Sequence, residues 1–330
     1  MHGCPNRCMH CWLGITPNGN LSIDDLKFVA NEFRPFTNDL EVSDRYREED
    51  YPDNYKELWE ITAALSDSKT PHFENISYWR AVRDGEYAAW LYSHGVRAAQ
   101  LTIFGGEETT DYFVGRKGAF AEILQTIEIL LANKIAPRIQ TFIYKNNISQ
   151  LPYILQLIES LDLENRCAGL DKEFSFFLHQ GSCSGENAQF YDTWITPEDL
   201  KKIPPKLLDF TTKHFNTQNT AEIFGETEQS LYARLIHDPS HLDSIITDAP
   251  IFFIDKNFNV YPNYETPSPA WHLGNLKTDG IQKVLNAYLN NNSPAQHTMA
   301  TTPINKMAKT TETPIACDYS ANATTKTTYC

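Results

Sequence analysis

The sequence predicts an α/β fold built on a parallel sheet, with an insertion near its start and a small α+β extension at its end. Three observations carry the prediction. Strand-like and helix-like segments alternate from residue 85 to residue 179, as in βα repeats. The apolar run over 96–104 passes straight into Gly105-Gly106-Glu107-Glu108, a turn that lets backbone approach a ligand closely. The chain also opens on three closely spaced cysteines, Cys4, Cys8 and Cys11.

Leu21 to Val29 has helical spacing, with Ser22 as N-cap and Asp24 and Asp25 in the first turn, where acids complement the helix dipole. Residues 34–83 are rich in Tyr, Trp, Asp and Glu, and the gap from Cys11 to Gly105 far exceeds the ~30 residues of one βα repeat. An insertion of about 50 residues is expected there, since long insertions cost little loop entropy. It reads either as a peripheral helical decoration or as a substrate-facing lid carrying Tyr51, Tyr55, Trp59, Tyr78 or Trp79.

Residues 85–95 read as a helix and 96–104 as a buried strand. An amphipathic helix follows at 119–132 (Ile123, Leu124, Ile127, Leu130, Leu131), then a strand at 139–144, a helix at 148–161 and a strand at 174–179. Ligands bind at the C-terminal strand ends of such sheets, which makes Lys145, Asn146, His179 and Gln180 candidates to line a pocket. A Gly/Ser loop with Cys183 follows the last of these strands. That cysteine reads either as a contact residue or as an ordinary buried thiol.

Beyond Thr196, one helix opens at Pro197 and another spans 226–236. Residues 249–263 read as a hairpin around the turn from Asp255 to Asn259, followed by Leu273-Gly274-Asn275-Leu276 and a helix over 280–290. Ala308 to Tyr329 is rich in Thr, Ala, Lys and Asn without periodicity, a low-complexity tail.

Composition sets the outer limits. The 330 residues, 41% hydrophobic and 21% charged, suffice for one large α/β domain with an appendage. A formal charge of −14 argues against nonspecific nucleic-acid or anionic-membrane binding, which rewards clustered Lys and Arg. No apolar stretch reaches the ~20 residues of a transmembrane helix. Seven cysteines, three in one loop, do not make an even disulfide framework, and a reducing cytoplasm suits them.

The cysteine loop is the most specific feature. Iron–sulfur clusters are held by closely spaced thiolates, and three ligands on one loop leave one iron of a four-iron cube open. Zinc is an alternative, with His2 or His10 as the fourth ligand that such sites want; three unrelated buried thiols are another. The run C-P-N-R-C-M-H-C resembles the cluster loop of radical S-adenosylmethionine (radical SAM) enzymes, and Gly105-Gly106-Glu107 after a strand resembles that family's Gly-Gly-Glu-Pro motif. Glu108 stands where the family has proline, which is expected to leave the turn less rigid.

The resemblance implies a partial (β/α) barrel with a [4Fe-4S] cluster on Cys4, Cys8 and Cys11. It implies that the open iron binds S-adenosylmethionine (AdoMet), which is reductively cleaved to a 5′-deoxyadenosyl radical. Gly105, Gly106 and Glu107 would hold the methionine end, His10 would pack near the adenine, and a flavodoxin- or ferredoxin-type protein would supply electrons. In the family a strand precedes the cluster loop. Here no apolar run precedes Cys4, so either the first strand is replaced or, the favoured expectation, the chain is truncated at its N-terminus.

The order of hairpin, Tyr261-Pro262, Leu-Gly-Asn-Leu and helix resembles the SPASM or twitch extension of peptide- and protein-modifying members. A cysteine commonly follows the Tyr-Pro there. Asn263 takes its place, and Cys167, Cys183, Cys317 and Cys330 are scattered singly, so no auxiliary cluster is expected. The implied organisation is a radical SAM core at 1–235, a SPASM/twitch-like extension at 236–300 and the tail at 301–330. A peptide substrate follows from the C-terminal resemblance and a small metabolite from the missing cysteines. A non-catalytic iron–sulfur- or zinc-binding protein is the third reading.

Overall fold

Three parallel strands, β1 (Ala98–Thr102), β2 (Ala136–Phe142) and β3 (Ser175–His179), form the central sheet in that order. The computed structural model describes residues 6–11, 21–42, 53–67, 76–181, 185–218, 223–242, 246, 250–262 and 268–310. Side chains alternate across each strand. Leu101, Ile139, Phe176 and Leu178 therefore point to one face, where they are buried with Ile123, Ile127, Leu130, Leu151, Ile154 and Ile158. The helices α6 (Ala119–Ala132) and α7 (Leu151–Ser160) supply those partners. Burying each such side chain contributes roughly 1.5–3 kcal/mol, so this face holds the sheet together.

The strands start and stop a few residues from the predicted positions. β2 begins three residues before the expected 139, and Pro137, which has no N–H for a ladder, is tolerated at its second position. The sheet does not widen into the barrel that the resemblance implies. Among the described residues it stops at β3, whose edge is covered by α9 (Pro205–His214): Thr211 accepts a hydrogen bond from the Leu178 N–H at 3.1 Å. The helix expected to open at Pro197 is only a 3-10 turn at Asp199–Lys202, and Pro205 starts α9 instead.

The insertion divides into two parts. In α2 (Tyr55–Leu65), Tyr55 is 2% exposed and donates to Asp84 at 2.9 Å. Trp59 packs edge-on against Trp90 and His94 at the end of α4 (Tyr87–Ser93), just before β1 begins. This aromatic block belongs to the main core at the N-terminal edge of the sheet, and neither a peripheral decoration nor a lid describes it. Tyr78, at the start of α3 (Tyr78–Arg83), packs instead beside the cysteine loop, under the Arg116 guanidinium. Tyr51 lies outside the described residues.

A second core forms around an antiparallel sheet of β4 (Phe252–Ile254), β5 (Asn259–Pro262) and β6 (Gly274–Asn275). The predicted hairpin is present, and Gly274-Asn275 adds a third strand. Val260, Leu273, Leu276, Val284 and Tyr288, the last two from α11 (Ile281–Leu289), are buried there. They share that core with Val29 and Phe33 of α1 (Ile23–Phe33). The first helix thus packs on the C-terminal extension, across the division drawn at residue 235. Residues 301–310, at the start of the expected tail, hold α13 (Ile304–Ala308), which is tied to the chain near residue 240 by Ile304 N–H to Ser240 and Asn305 N–H to Asp238, both 2.8 Å. Between α9 and β4 lies α10 (Glu228–Leu235), and α12 (Pro294–Thr301) follows α11. Two helices complete the parallel-sheet region, α5 (Glu107–Val114) and α8 (Leu163–Ala168).

Candidate active site at the strand ends

The parallel strands deliver Gly105, Tyr144 and Gln180 to one edge of the sheet, because all three run the same way. Gly105 has φ of +156°, and a Cβ there would lie 2.8 Å from the Gln150 side chain, so only glycine fits. Its carbonyl accepts from the Thr110 hydroxyl at 2.9 Å, and the Gly106 N–H donates to Gln150 Oε1 at 3.2 Å. Gly106 caps α5, and Glu107 and Glu108 form its exposed first turn. Glu108 is the second acid of that turn. An acid at that position favours the positive end of the helix.

The cysteine loop is pinned to the other end of the same helix. Arg7 N–H donates to the Val114 carbonyl at 3.0 Å and Met9 N–H to Phe113 at 2.8 Å. Gly115, at φ +68°, ends α5, and any Cβ there would collide with the Arg7 carbonyl. Arg116 Nε donates to Asn6 at 2.9 Å. From the far side, Glu186 N–H reaches the Cys11 carbonyl at 2.8 Å and Gln189 reaches that of Met9 at 3.0 Å. Cys11 N–H donates back to Cys8 at 3.1 Å, which closes the two thiols into one tight turn.

Aromatic rings back this turn. Cys8 and Met9 pack on a buried set that includes Phe104, Phe113, Tyr144, Phe190 and Trp194. Phe113 stacks on Phe104 at 4.6 Å and on Tyr144 at 5.5 Å. His10 lies 4.7 Å from Phe104 and 4.6 Å from Phe142, with the His179 ring on Phe142 at 4.9 Å. Burial pushes His10 down to about 3, with His179 adding to the effect, and burial alone pushes His179 down to about 4. Both imidazoles are therefore neutral at ordinary pH, and each has a closed-off Nδ1 without a hydrogen-bond partner.

The pocket candidates fare unequally. His179 is half-buried at the site and Gln180 is 1% exposed, whereas Lys145 and Asn146 turn outward to solvent. The residue that matters in that loop is Asn147, which the sequence reading missed. Fully buried, it donates to the Phe104 carbonyl at 3.2 Å and the Phe142 carbonyl at 2.8 Å, and accepts from the Tyr144 N–H at 2.8 Å. It bolts the ends of β1 and β2 together. Asn187 acts similarly after β3, accepting from the Tyr144 hydroxyl at 2.5 Å. Asparagine in a loop after a strand was the available signal, without an indication of which one turns inward.

Cys4, Cys183 and Asn263 lie outside the described residues, and among the described residues no three metal-ligating side chains converge. The donor chemistry of the part that is described fits a soft iron–sulfur group. Two thiols share one turn, the turn is fixed by backbone bonds from both sides, and the surroundings are apolar.

No protein-family model matches the chain, and no curated protein matches it. Solved structures are. A structure titled native anSMEcpe with bound AdoMet and Kp18Cys peptide aligns at TM-score 0.53 and 14% identity, covering 90% of this chain and 80% of that one. Native anSMEcpe with bound AdoMet and Cp18Cys peptide also aligns at 0.53 and 14%, covering 98% and 91%. The same enzyme with AdoMet alone aligns at 0.51 and 14%, covering 98% and 92%. anSMEcpe is an anaerobic sulfatase-maturating enzyme with a SPASM domain. The chain shares the fold of these structures over most of its length. Mixed α/β architecture and a parallel sheet are what it shares with that fold. Among the described residues, no helix is long and apolar enough to cross a membrane.

Proposed function

We propose that the chain is a radical SAM enzyme that uses a [4Fe-4S] cluster and AdoMet to abstract hydrogen from a peptide substrate. The observation that carries this reading is the placement of the Cys8–Cys11 turn. It is pinned to one end of α5, whose other end begins at Gly106-Glu107, beside the ends of all three parallel strands. Cys4, Cys8 and Cys11 would hold the cluster. When bound, cluster and AdoMet supply the electron and the 5′-deoxyadenosyl group on which this class of reaction depends.

The chain's own residues have separate tasks. Gly105 and Gly106 present backbone without side chains, and the Glu107 carboxylate is suited to an ammonium group. The neutral His10 ring, fixed between Phe104 and Phe142, would pack near the adenine. Phe104, Phe113, Phe190 and Trp194 exclude water from beneath the loop. The peptide reading is supported by the peptides bound in the anSMEcpe structures. The electron donor is of flavodoxin or ferredoxin type, in a reducing cytoplasm.

Anaerobic reconstitution followed by dithionite and AdoMet tests the proposal. Release of 5′-deoxyadenosine is expected, with AdoMet affinity reduced by about tenfold in Glu107→Gln, as loss of one charge-assisted bond predicts. A chain carrying a full cluster that releases none contradicts it.

A further inference from the structure

Of the two glycines that follow β1, the surroundings demand only the first. A Cβ on Gly106 would meet the Tyr153 ring at 3.7 Å, an ordinary contact, whereas a Cβ on Gly105 would lie 2.8 Å from both Cβ and Cγ of Gln150. The close approach that excludes a side chain at 105 is therefore made by Gln150, which lies across the turn. Gln150 is itself held. Its N–H donates at 2.8 Å to the carbonyl of Asn147, the residue that joins the ends of β1 and β2. It is also the N-cap of α7, whose first residue, Leu151, is fully buried.

From that fixed base, Gln150 Oε1 accepts the Gly106 N–H at 3.2 Å. Thr110 holds the same turn from the helix side. Its hydroxyl accepts from the Phe104 N–H at 3.2 Å and donates to the Gly105 carbonyl at 2.9 Å, and its N–H donates to the Gly106 carbonyl at 2.9 Å. The Thr110 bonds are local to one stretch of chain, whereas the Gln150 bond spans 44 positions and ties the start of α5 to the next βα unit. Gly106 is the N-cap of α5 and brings no side-chain cap, so the helix start takes its fixing from outside. Glu107 leaves the backbone at the residue next to that bond.

We infer that Gln150 is a positioning residue for the cofactor: by holding the Gly106 N–H it aims the Glu107 carboxylate at the ammonium group of AdoMet. The inference rests on the proposed function, in which Glu107 meets that ammonium. A charge-assisted hydrogen bond depends on distance and alignment, so a turn released from Gln150 loses affinity for ligands that carry the ammonium and keeps it for those that do not.

Two substitutions separate this role from plain packing. Gln150→Met keeps a side chain of similar length over Gly105 and removes the acceptor, whereas Gln150→Glu keeps an acceptor oxygen. Anaerobic calorimetry on the cluster-loaded full chain measures binding of AdoMet and of 5′-methylthioadenosine, which has the adenosine and the sulfur but no amino-acid group. Gln150→Met is expected to weaken AdoMet about three- to tenfold, as loss of one hydrogen bond predicts, and to leave methylthioadenosine unchanged. Gln150→Glu should bind AdoMet within about twofold of the native chain. Hydrogen exchange of the Gly106 amide, faster in the Met variant and not in the Glu variant, reports the bond itself, with unfolding midpoint and iron content as controls. Gln150→Ala should show the same selective loss and decides the question if the Met variant does not fold. Unchanged AdoMet binding without the acceptor, equal losses for both ligands, or a Gln150→Glu loss as large as that of Gln150→Met would overturn the inference alone. A native chain that binds neither ligand overturns the proposed function and the inference with it.

Discussion

In the parallel-sheet core, partners are close in sequence: β1, β2 and β3 pair in chain order and α6 and α7 cover them. In the second core, Val29 and Phe33 near the beginning of the chain meet Val260, Leu276 and Val284 near its end. The first core builds the edge at which the cysteine loop sits. The second grips the helix that follows that loop, so that an extension far away in sequence helps to fix where the loop goes. Lys277 reinforces this contact, 3.6 Å from the Phe258 ring centroid and 3.2 Å from Asp25 of α1.

Substitutions should separate the two. The largest effect is expected from Asn147→Ala, which strands two carbonyls and an N–H at the ends of β1 and β2 and should cost about 3–5 kcal/mol. Denaturant unfolding reads the loss, and hydrogen exchange in α1 and β4–β6 should stay unchanged. Leu101→Ala and Leu276→Ala, each 2% exposed, should both cost about 3 kcal/mol. Their exchange patterns should differ: the first opens β1–β3, the second α1 together with β4–β6. Equal deprotection everywhere would show one cooperative core instead of two.

Thr211→Val should cost about 1–2 kcal/mol by leaving the Leu178 N–H at the sheet edge without its acceptor, and faster exchange of that amide is the readout. Smallest is Ser22→Ala, which removes the capping box with Asp25 and should cost about 1 kcal/mol, measured as lost protection in α1. The Ser22 hydrogen bonds, and secondly Lys277, hold the Asp25 carboxyl below its usual range. A depressed carboxyl stabilises the fold above its unfolded value, and that contribution is lost as pH falls from about 4 through the lower folded value. The attachment of α1 should therefore loosen in acid before β1–β3 do, and Asp25→Asn should remove that difference.

What could be read from the sequence follows the same division. Helices α4, α6, α7 and α11 and strands β1 and β3 announce themselves through local periodicity, because their burial partners impose one repeating face. The cysteine turn and Gly105-Gly106-Glu107 were legible because few residue types tolerate their chemistry and backbone. Asn147 was not, since three polar residues follow Tyr144 in a row and only the turn decides which faces inward. The pairing of α1 with the extension depends on residues more than two hundred positions apart, for which pattern offers no clue. The insertion misled because Tyr55 and Trp59 look the same in a lid as in a core.

Iron and sulfide counted per chain after anaerobic reconstitution, in the native chain and in Cys8→Ala, test the central claim most directly. About four irons with matching sulfide, lost in the variant, are what the account predicts. Bound zinc without iron, or iron that the variant retains in full, would contradict it.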